Sequence, residues 1–476
     1  MTDRVPQNWL HWGRALKSAL AVLLTVVTGD QAATPQSFAK PPGPCLRASQ
    51  ITELAQSMAS GSAASDSYSA TVQLAFNNLG AGSLRAFEEN RSFVYVLGAA
   101  APHLIRRLIV LKPSIFIVDD QMLPGAATPV TTCLDAEGPA QVSGRRARIV
   151  AGNTTIFWET PGQKIAYQTR RQLAADSRRP SYVVQAMMVD RLPGSRSLSV
   201  LDSAGADQFD PTIRSELAQK GDDWILTVSS TSRSFRLSLP PPAAGAGEIA
   251  VSTANGTTLI GRRLLPSGIL PHGPKGNRLL ETWDADYRGA KPPAWDIGRP
   301  ADELQRLVRE GTVRSCRAVD LGCGSGTDAI FLASHGFDVT AIDISPTALS
   351  QAQEKARKAG VSVRWVLADV VAPPDLGPFD FIYDRGCYHN VRDQNLTAYV
   401  DTVRRFSHPG TKFLLLSARR DEHAPAEYPG VTEEEFRYDF LSWFDVEWLR
   451  EIKLESNEPG VSPPGWSALL IRNNQP

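Results

Sequence analysis

The stretch R-A-V-D-L-G-C-G-S-G-T-D-A-I-F-L-A-S-H-G-F-D-V-T-A-I-D-I-S, residues 317–345, constrains this chain more than any other. Residues 317–320 read as a short buried strand. Gly322-Cys323-Gly324-Ser325-Gly326 is a sharp turn, and its glycines let the backbone come close to a ligand. Thr327–Ser334 follows as a helix, with Ile330, Phe331 and Ala333 on its apolar face. Residues 338–342 form a second strand that ends on Asp343. Strand, glycine turn, helix, strand and acid make the first half of a nucleotide-binding α/β sheet. Asp343 follows Asp320 at close to the spacing of about 20 residues expected of a carboxylate that grips a ribose. Cys323 stands where the turn needs a small residue and is read as packing.

The chain continues the same unit. Ser345-Pro346 reads as a helix start, a hydroxyl cap followed by proline at the first helical position. That helix runs to about Ala359, where Gly360 stops it. Strands are expected at 363–367, 379–383 and 412–417, the first two closed by Ala368-Asp369 and by Asp384-Arg385-Gly386. Acids at the carboxyl ends of successive parallel strands mark where an open α/β sheet binds its ligand. A dinucleotide turn must cradle a pyrophosphate on the helix N-terminus, and its third glycine comes one residue later than here. That register speaks against a nicotinamide-linked oxidoreductase. The form D-L-G-C-G-S-G is similar to motif I of the class I S-adenosylmethionine methyltransferases, whose ligand needs close backbone approach and no phosphate cradle.

Residues 279–476 resemble the thiopurine-methyltransferase-like, small-molecule subgroup of that family. The resemblance is carried by P-P-A-W-D-I-G-R-P, F-D-F-I-Y-D-R-G and P-G-V-T-E-E-E-F beside the glycine turn. It implies an α/β doubly wound, Rossmann-like domain. The implied reaction moves a methyl group from S-adenosylmethionine to a thiol, amine, hydroxyl or chalcogenide of a small molecule. Trp283, Tyr287 and Trp295 would come from a lid that covers the cofactor with aromatic faces, which are favourable beside a sulfonium. Asp320, Gly322, Gly324 and Gly326 would stand on the cofactor side, the glycines along its methionine part. Asp343 would accept from the ribose hydroxyls with Ile344 against the adenine, and Asp369 from the adenine amino group. Asp384 and Arg385 would sit where cofactor and acceptor meet. The three aromatics also read as a helix packed on the sheet, and Arg385 as a structural ion-pair partner. His389, in C-Y-H-N after D-R-G, is either a general base near neutral pH or a cap for the next helix. No N/D-P-P-Y/F/W motif follows the fourth strand, which turns the reading away from DNA bases and protein amides.

Upstream the chain changes character. Residues 71–265 carry many short apolar runs, such as 104–111, 154–158 and 234–239, separated by turn residues; the pattern suggests a β-sandwich. N-R-S-F-V-Y-V-L-G followed by R-R-L-I-V-L-K-P-S-I-F-I-V-D-D-Q resembles the C-terminal β-sandwich of heparinase II/III-like polysaccharide lyases. That resemblance implies a binding or scaffold domain with carbohydrate as its ligand. It implies no lyase chemistry, because no stretch is long enough for the helical toroid that such lyases use. Residues 41–70 read as a linker with one helix near 51–58, and residues 266–278 as a second linker. Residues 1–40 hold Arg4, Arg14 and Lys17 around an apolar run at 15–27, followed by small residues suited to cleavage. They read as a signal-like or anchor segment, or as an amphipathic helix touching a membrane through residues 9–27 with Trp9 and Trp12 at the interface.

Zero net charge and a pI near 7.1 leave no electrostatic footprint for nucleic acid. The five cysteines form no C-x-x-C pair and no metal-ligand spacing. Cys45 and Cys133 are a disulfide candidate if that region is exported. The cofactor is made in the cytosol, so the catalytic domain is expected in the cytoplasm, free or anchored by the N-terminal segment. The rival reading is a carbohydrate-binding or wall-associated protein with a degenerate methyltransferase scaffold.

Overall fold

Phe93–Ala101, Leu104–Leu111 and Ile115–Met122 are buried along nearly their whole length. Such runs suit strands covered on both faces rather than a sheet with one wet face. The structure, a computed structural model, describes residues 45–60, 67–76, 84–124, 131–172, 181–188, 196–205, 213–420 and 429–475. The signal-like or anchor segment 1–40 lies outside them. The three runs are the second to fourth strands of an eight-stranded sheet. Val94, Val96, Leu108 and Val118 share one core with a four-stranded sheet and two helices. Tyr95, Ile109 and Ile117 share another with a five-stranded meander over residues 214–264. The expected β-rich region is therefore three stacked sheets, an arrangement consistent with a sandwich.

Strand alternation also separates two adjacent cations. Arg106 pairs with Asp120 at 2.7 Å, both essentially unexposed. Arg107 and Arg196 together hold Asp119, with Arg107 also donating to Pro240 O. Removing one partner of such a buried pair costs about 3–5 kcal/mol. Cys45 and Cys133 are joined by a disulfide. The stretch 41–70 is more than a linker: its helix Ala48–Ser60 buries Ile51, Leu54 and Ala55 in the first core. The i, i+3, i+4 stripe that does this is diluted by Ser and Ala in the sequence.

The second part of the chain is built on seven strands: β1 (Arg317–Leu321), β2 (Asp338–Asp343), β3 (Arg364–Leu367), β4 (Phe379–Arg385), β5 (Ser407–Ala418), β6 (Phe444–Lys453) and β7 (Pro464–Arg472). Their order is β3-β2-β1-β4-β5-β7-β6. β1 to β5 are parallel, and β7 runs antiparallel between β5 and β6. Helices α1 (Gly273–Arg288), α2 (Asp302–Arg309), α3 (Thr327–Ser334), α4 (Pro346–Ala359), α5 (Tyr388–Arg405) and α6 (Glu433–Phe440) accompany the sheet. α4 begins and ends as its sequence dictates: the Ser345 hydroxyl accepts from Ala348 N–H, and Gly360 takes a left-handed φ of 69°. The fully buried face of α3 is Ala329 and Leu332; of the expected residues, Phe331 and Ala333 pack half-buried on the same core and Ile330 does not. Residues 266–278 are also not a free linker, because α1 already starts at Gly273.

Candidate active site

A cavity of about 720 Å³ opens over the carboxyl ends of β1 to β4, where an open α/β sheet binds its ligand. Its floor is the glycine turn. Gly322 and Gly324 have φ of 70° and 53°, values that favour glycine. A Cβ on Gly322 would lie 2.6 Å from Cys387 Cβ, and one on Gly324 would lie 2.5 Å from the Tyr287 hydroxyl. Gly326 serves a different purpose from the one expected. It is off the cavity wall, and a Cβ there would meet Trp365 at 2.6 Å and Ala352 at 2.7 Å. The third glycine permits packing of the turn against α4 rather than approach to a ligand.

Three of the expected acids line the cavity: Asp320, Asp343 and Asp369. Asp343 Oδ2 accepts from Gly324 N–H at 2.8 Å and Oδ1 from Ser345 N–H at 2.7 Å. Burial pushes its carboxyl up to about 6 despite those bonds. Ile344 follows it on the same wall. Asp369 accepts from Val371 N–H, and burial raises its pKa as well. Asp320 is 2% exposed, and its Oδ2 has no hydrogen-bond partner. Burial, then the neighbouring Asp328, Asp384 and Asp343, push its pKa well above the carboxylate range. A buried acid oxygen without a donor, above a glycine cradle, fits a ligand that brings cationic or hydroxyl donors.

Asp384 departs from expectation. It is fully buried, off the cavity wall, and takes the N–H groups of Cys387 and Tyr388 and the Tyr399 hydroxyl. The start of α5 has captured this carboxylate, so it caps a helix instead of meeting cofactor and acceptor.

Trp283, Tyr287 and Trp295 all reach the cavity. The two indoles meet edge-on with ring centroids 5.9 Å apart, and Trp295 Nε1–H donates to the Tyr287 hydroxyl at 3.0 Å. Two groups that the sequence reading missed hold this lid. Asp284, on α1 between the aromatics, accepts from the Ser345 hydroxyl and from Thr347 N–H and hydroxyl, which ties the lid helix to the start of α4. Asn457, in the β6–β7 loop, donates to Pro293 O and Asp296 O. The only signal for Asp284 was its place between Trp283 and Tyr287; Asn457 had none.

Arg385 lines the cavity and donates to Trp295 O at 2.8 Å and Glu455 O at 3.1 Å. Its buried Nε–H has no partner. No ion pair with Asp384 or Asp369 forms among the described residues. His389 also lines the cavity, and its Nδ1 accepts from Ala418 N–H at 3.2 Å. A backbone N–H can only donate, so Nδ1 accepts; on the other side Nε2 faces the Asn390 amide nitrogen at 3.2 Å, a second donor that also donates to Gly386 O. Burial lowers the His389 pKa to about 4. This corrects the general-base expectation: the ring is neutral at pH 7, but both of its nitrogens face N–H groups of the protein.

Residues 318–410 match the family described as methyltransferase domain. An uncharacterized methyltransferase of Schizosaccharomyces pombe is 30% identical over 110 residues, 23% of this chain and 75% of the relative. The 2-heptyl-1-hydroxyquinolin-4(1H)-one methyltransferase of Mycobacteroides abscessus is 27% identical over 198 residues, 39% of this chain and 86% of the relative. Among solved structures, the 1,6-didemethyltoxoflavin-N1-methyltransferase of Burkholderia thailandensis is 18% identical, covering 45% of this chain and 96% of its own at a TM-score of 0.36.

Proposed function

This chain belongs to the methyltransferase family, with S-adenosylmethionine as its methyl donor, and from that premise we propose that it methylates an apolar small molecule bearing an acidic hydroxyl, N-hydroxyl or thiol. The observation that carries the proposal is the guanidinium of Arg385, whose Nε–H has no partner, at the end of β4 on a wall where Asp328 and Glu455 also stand, while Asp320, Asp343 and Asp369 lie along the ends of β1 to β3. Acids attract a cationic donor molecule, and a guanidinium holds an electron-rich acceptor.

When bound, S-adenosylmethionine supplies a methyl group on a positively charged sulfur that leaves neutral. The residues present would hold it by Asp343 at the ribose, Asp369 at the adenine and Asp320 at the amino-acid end, over Gly322 and Gly324. Arg385 offers the Nε–H of its guanidinium to an anion. Leu454, Val461, Pro463 and Pro429 give the acceptor end apolar walls, which exclude water and strengthen the hold of the guanidinium. An acceptor that arrives ionised needs no base from the protein, in keeping with the occupied lone pair of His389.

The Mycobacteroides relative is named for a molecule with an alkyl chain and a ring hydroxyl, the same pairing of apolar body and acidic group. The thiopurine-methyltransferase-like subgroup remains our reading of the P-P-A-W-D-I-G-R-P and Y-D-R-G motifs. The test is a panel of matched acceptors, each apolar scaffold carrying hydroxyl, N-hydroxyl, thiol or amine, with S-adenosylhomocysteine release as readout. Turnover confined to the acidic members is expected. Turnover on amines alone would overturn the acceptor assignment.

A further inference from the structure

We infer that the N-terminal β region supplies one wall of the cofactor site, through the strap of residues 267–272. The inference rests on S-adenosylmethionine being the ligand and adds a binding surface from outside the methyltransferase sheet. The strap is held from two sides. Ser267 N–H donates to Leu367 O at the end of β3. On the other side Phe87 N–H donates to Gly268 O, and Leu270 N–H donates to Phe87 O. Phe87 belongs to the edge strand Leu84–Glu89 of the eight-stranded sheet. The strap is thus hydrogen-bonded at once to the β region and to the methyltransferase sheet.

Side chains close the gap. A Cβ on Gly268 would fall 2.9 Å from Ala368 Cβ and 3.0 Å from Ala372 O, so only glycine lets the strap lie against the loop that carries Asp369. Leu270 is 1% exposed and packs with Leu349 and Leu367, next to Ile344. The His272 ring stacks on Tyr68 at 4.1 Å and 12°, and meets Phe87 edge-on at 5.3 Å. Its Nδ1–H donates to Leu270 O. Leu270, Pro271 and His272 then line the same cavity as Ile344, Asp369 and Val370.

Those neighbours identify what the wall faces. Asp343 and Asp369 are the acids assigned to ribose and adenine, so the strap closes the nucleoside end. An apolar surface carrying one imidazole suits the flat face of a purine. Tyr68 and Phe87 act on the cofactor through His272 and are positioning residues. Docking of the β region and binding of the nucleoside are therefore coupled, each strengthening the other by the same factor.

Calorimetry on the full chain tests this with two probes, S-adenosylhomocysteine and 5′-methylthioadenosine, which keeps the nucleoside and lacks the amino-acid end. Tyr68→Ala and His272→Ala should each weaken both probes about tenfold, and Tyr68→Phe, which preserves the stack, should restore wild-type affinity. Dissociation constants within twofold of wild type in folded variants would overturn the inference. A wild-type reading needs no variant to fold: hydrogen exchange at Leu270 N–H should slow on saturation with S-adenosylhomocysteine, and unchanged exchange would also overturn it. Absence of binding by the wild-type chain would instead bring down the methyl-donor reading on which the inference stands.

Discussion

At the residue scale, Asp343 links cofactor binding to pH. Its carboxyl is pushed up to about 6 by burial, above the usual carboxylate range. Hydroxyl donors need the ionised form, so affinity is full above pH 6 and falls as pH drops through it, by about tenfold per unit. Folding has the opposite sign. A raised pKa contributes stability below the ordinary carboxylate value and loses it as pH rises through 6. Titrations with S-adenosylhomocysteine between pH 5 and 8 should show the fall in wild type and a shallower one in Asp343→Asn, since burial raises Asp320 and Asp369 as well. Asp384 makes a different prediction. Its alanine variant leaves a tyrosine hydroxyl and two N–H groups unpaired, at about 1–3 kcal/mol each. Denaturant unfolding should show a loss of roughly 3 kcal/mol or more, with affinity per folded molecule unchanged; an unaltered midpoint would contradict the capping role. The two aspartates show how far the sequence reaches. Both end a parallel strand, which spacing reveals. Whether the carboxylate then faces the ligand or is captured by the next helix depends on the backbone that follows, which spacing does not reveal. His389 was misread for the same reason, since its donor comes from Ala418 on another strand.

At the element scale, the glycine turn, α4 and the strand-end acids were legible because local rules govern them: positive φ, a serine cap, a glycine stop. The lid was legible as three aromatics but not as a clamped assembly, because its clamps are distant in sequence. Asp284 reaches Ser345 and Thr347, and Asn457 reaches Pro293. The strap was misread as linker because Pro and Gly recur around it over residues 266–276; Gly268 in fact allows tight packing. Asp284→Ala removes the cap-like bonds between α1 and α4, worth about 1 kcal/mol at a helix start. Affinity for S-adenosylhomocysteine should weaken by about fivefold while the melting point moves little. Unchanged affinity would mean that α1 is held by packing alone.

At the scale of the whole molecule, the β region was legible as strands and illegible as layers. Short apolar runs announced strands, but which sheet covers which face follows from contacts far apart in the chain, such as Arg107 to Pro240. The region also differs from the catalytic half in its cysteines: Cys45 and Cys133 are bonded, while Cys316, Cys323 and Cys387 are free. Alkylation under denaturing, non-reducing conditions should label these three thiols, and all five cysteines after reduction. Five labelled thiols before reduction would show the bond does not form. We propose that the catalytic domain works in the cytoplasm, free or anchored by residues 1–40. The central claim, that the cavity over β1 to β4 binds the methyl donor through Asp343, is tested most directly by titrating the full chain with S-adenosylhomocysteine at pH 7.5. One molecule should bind per chain, and Asp343→Ala should weaken it by about 1.5–3 kcal/mol, the range for hydrogen bonds to a charged acceptor. No heat from folded wild-type protein, or equal affinity in the variant, would contradict the account.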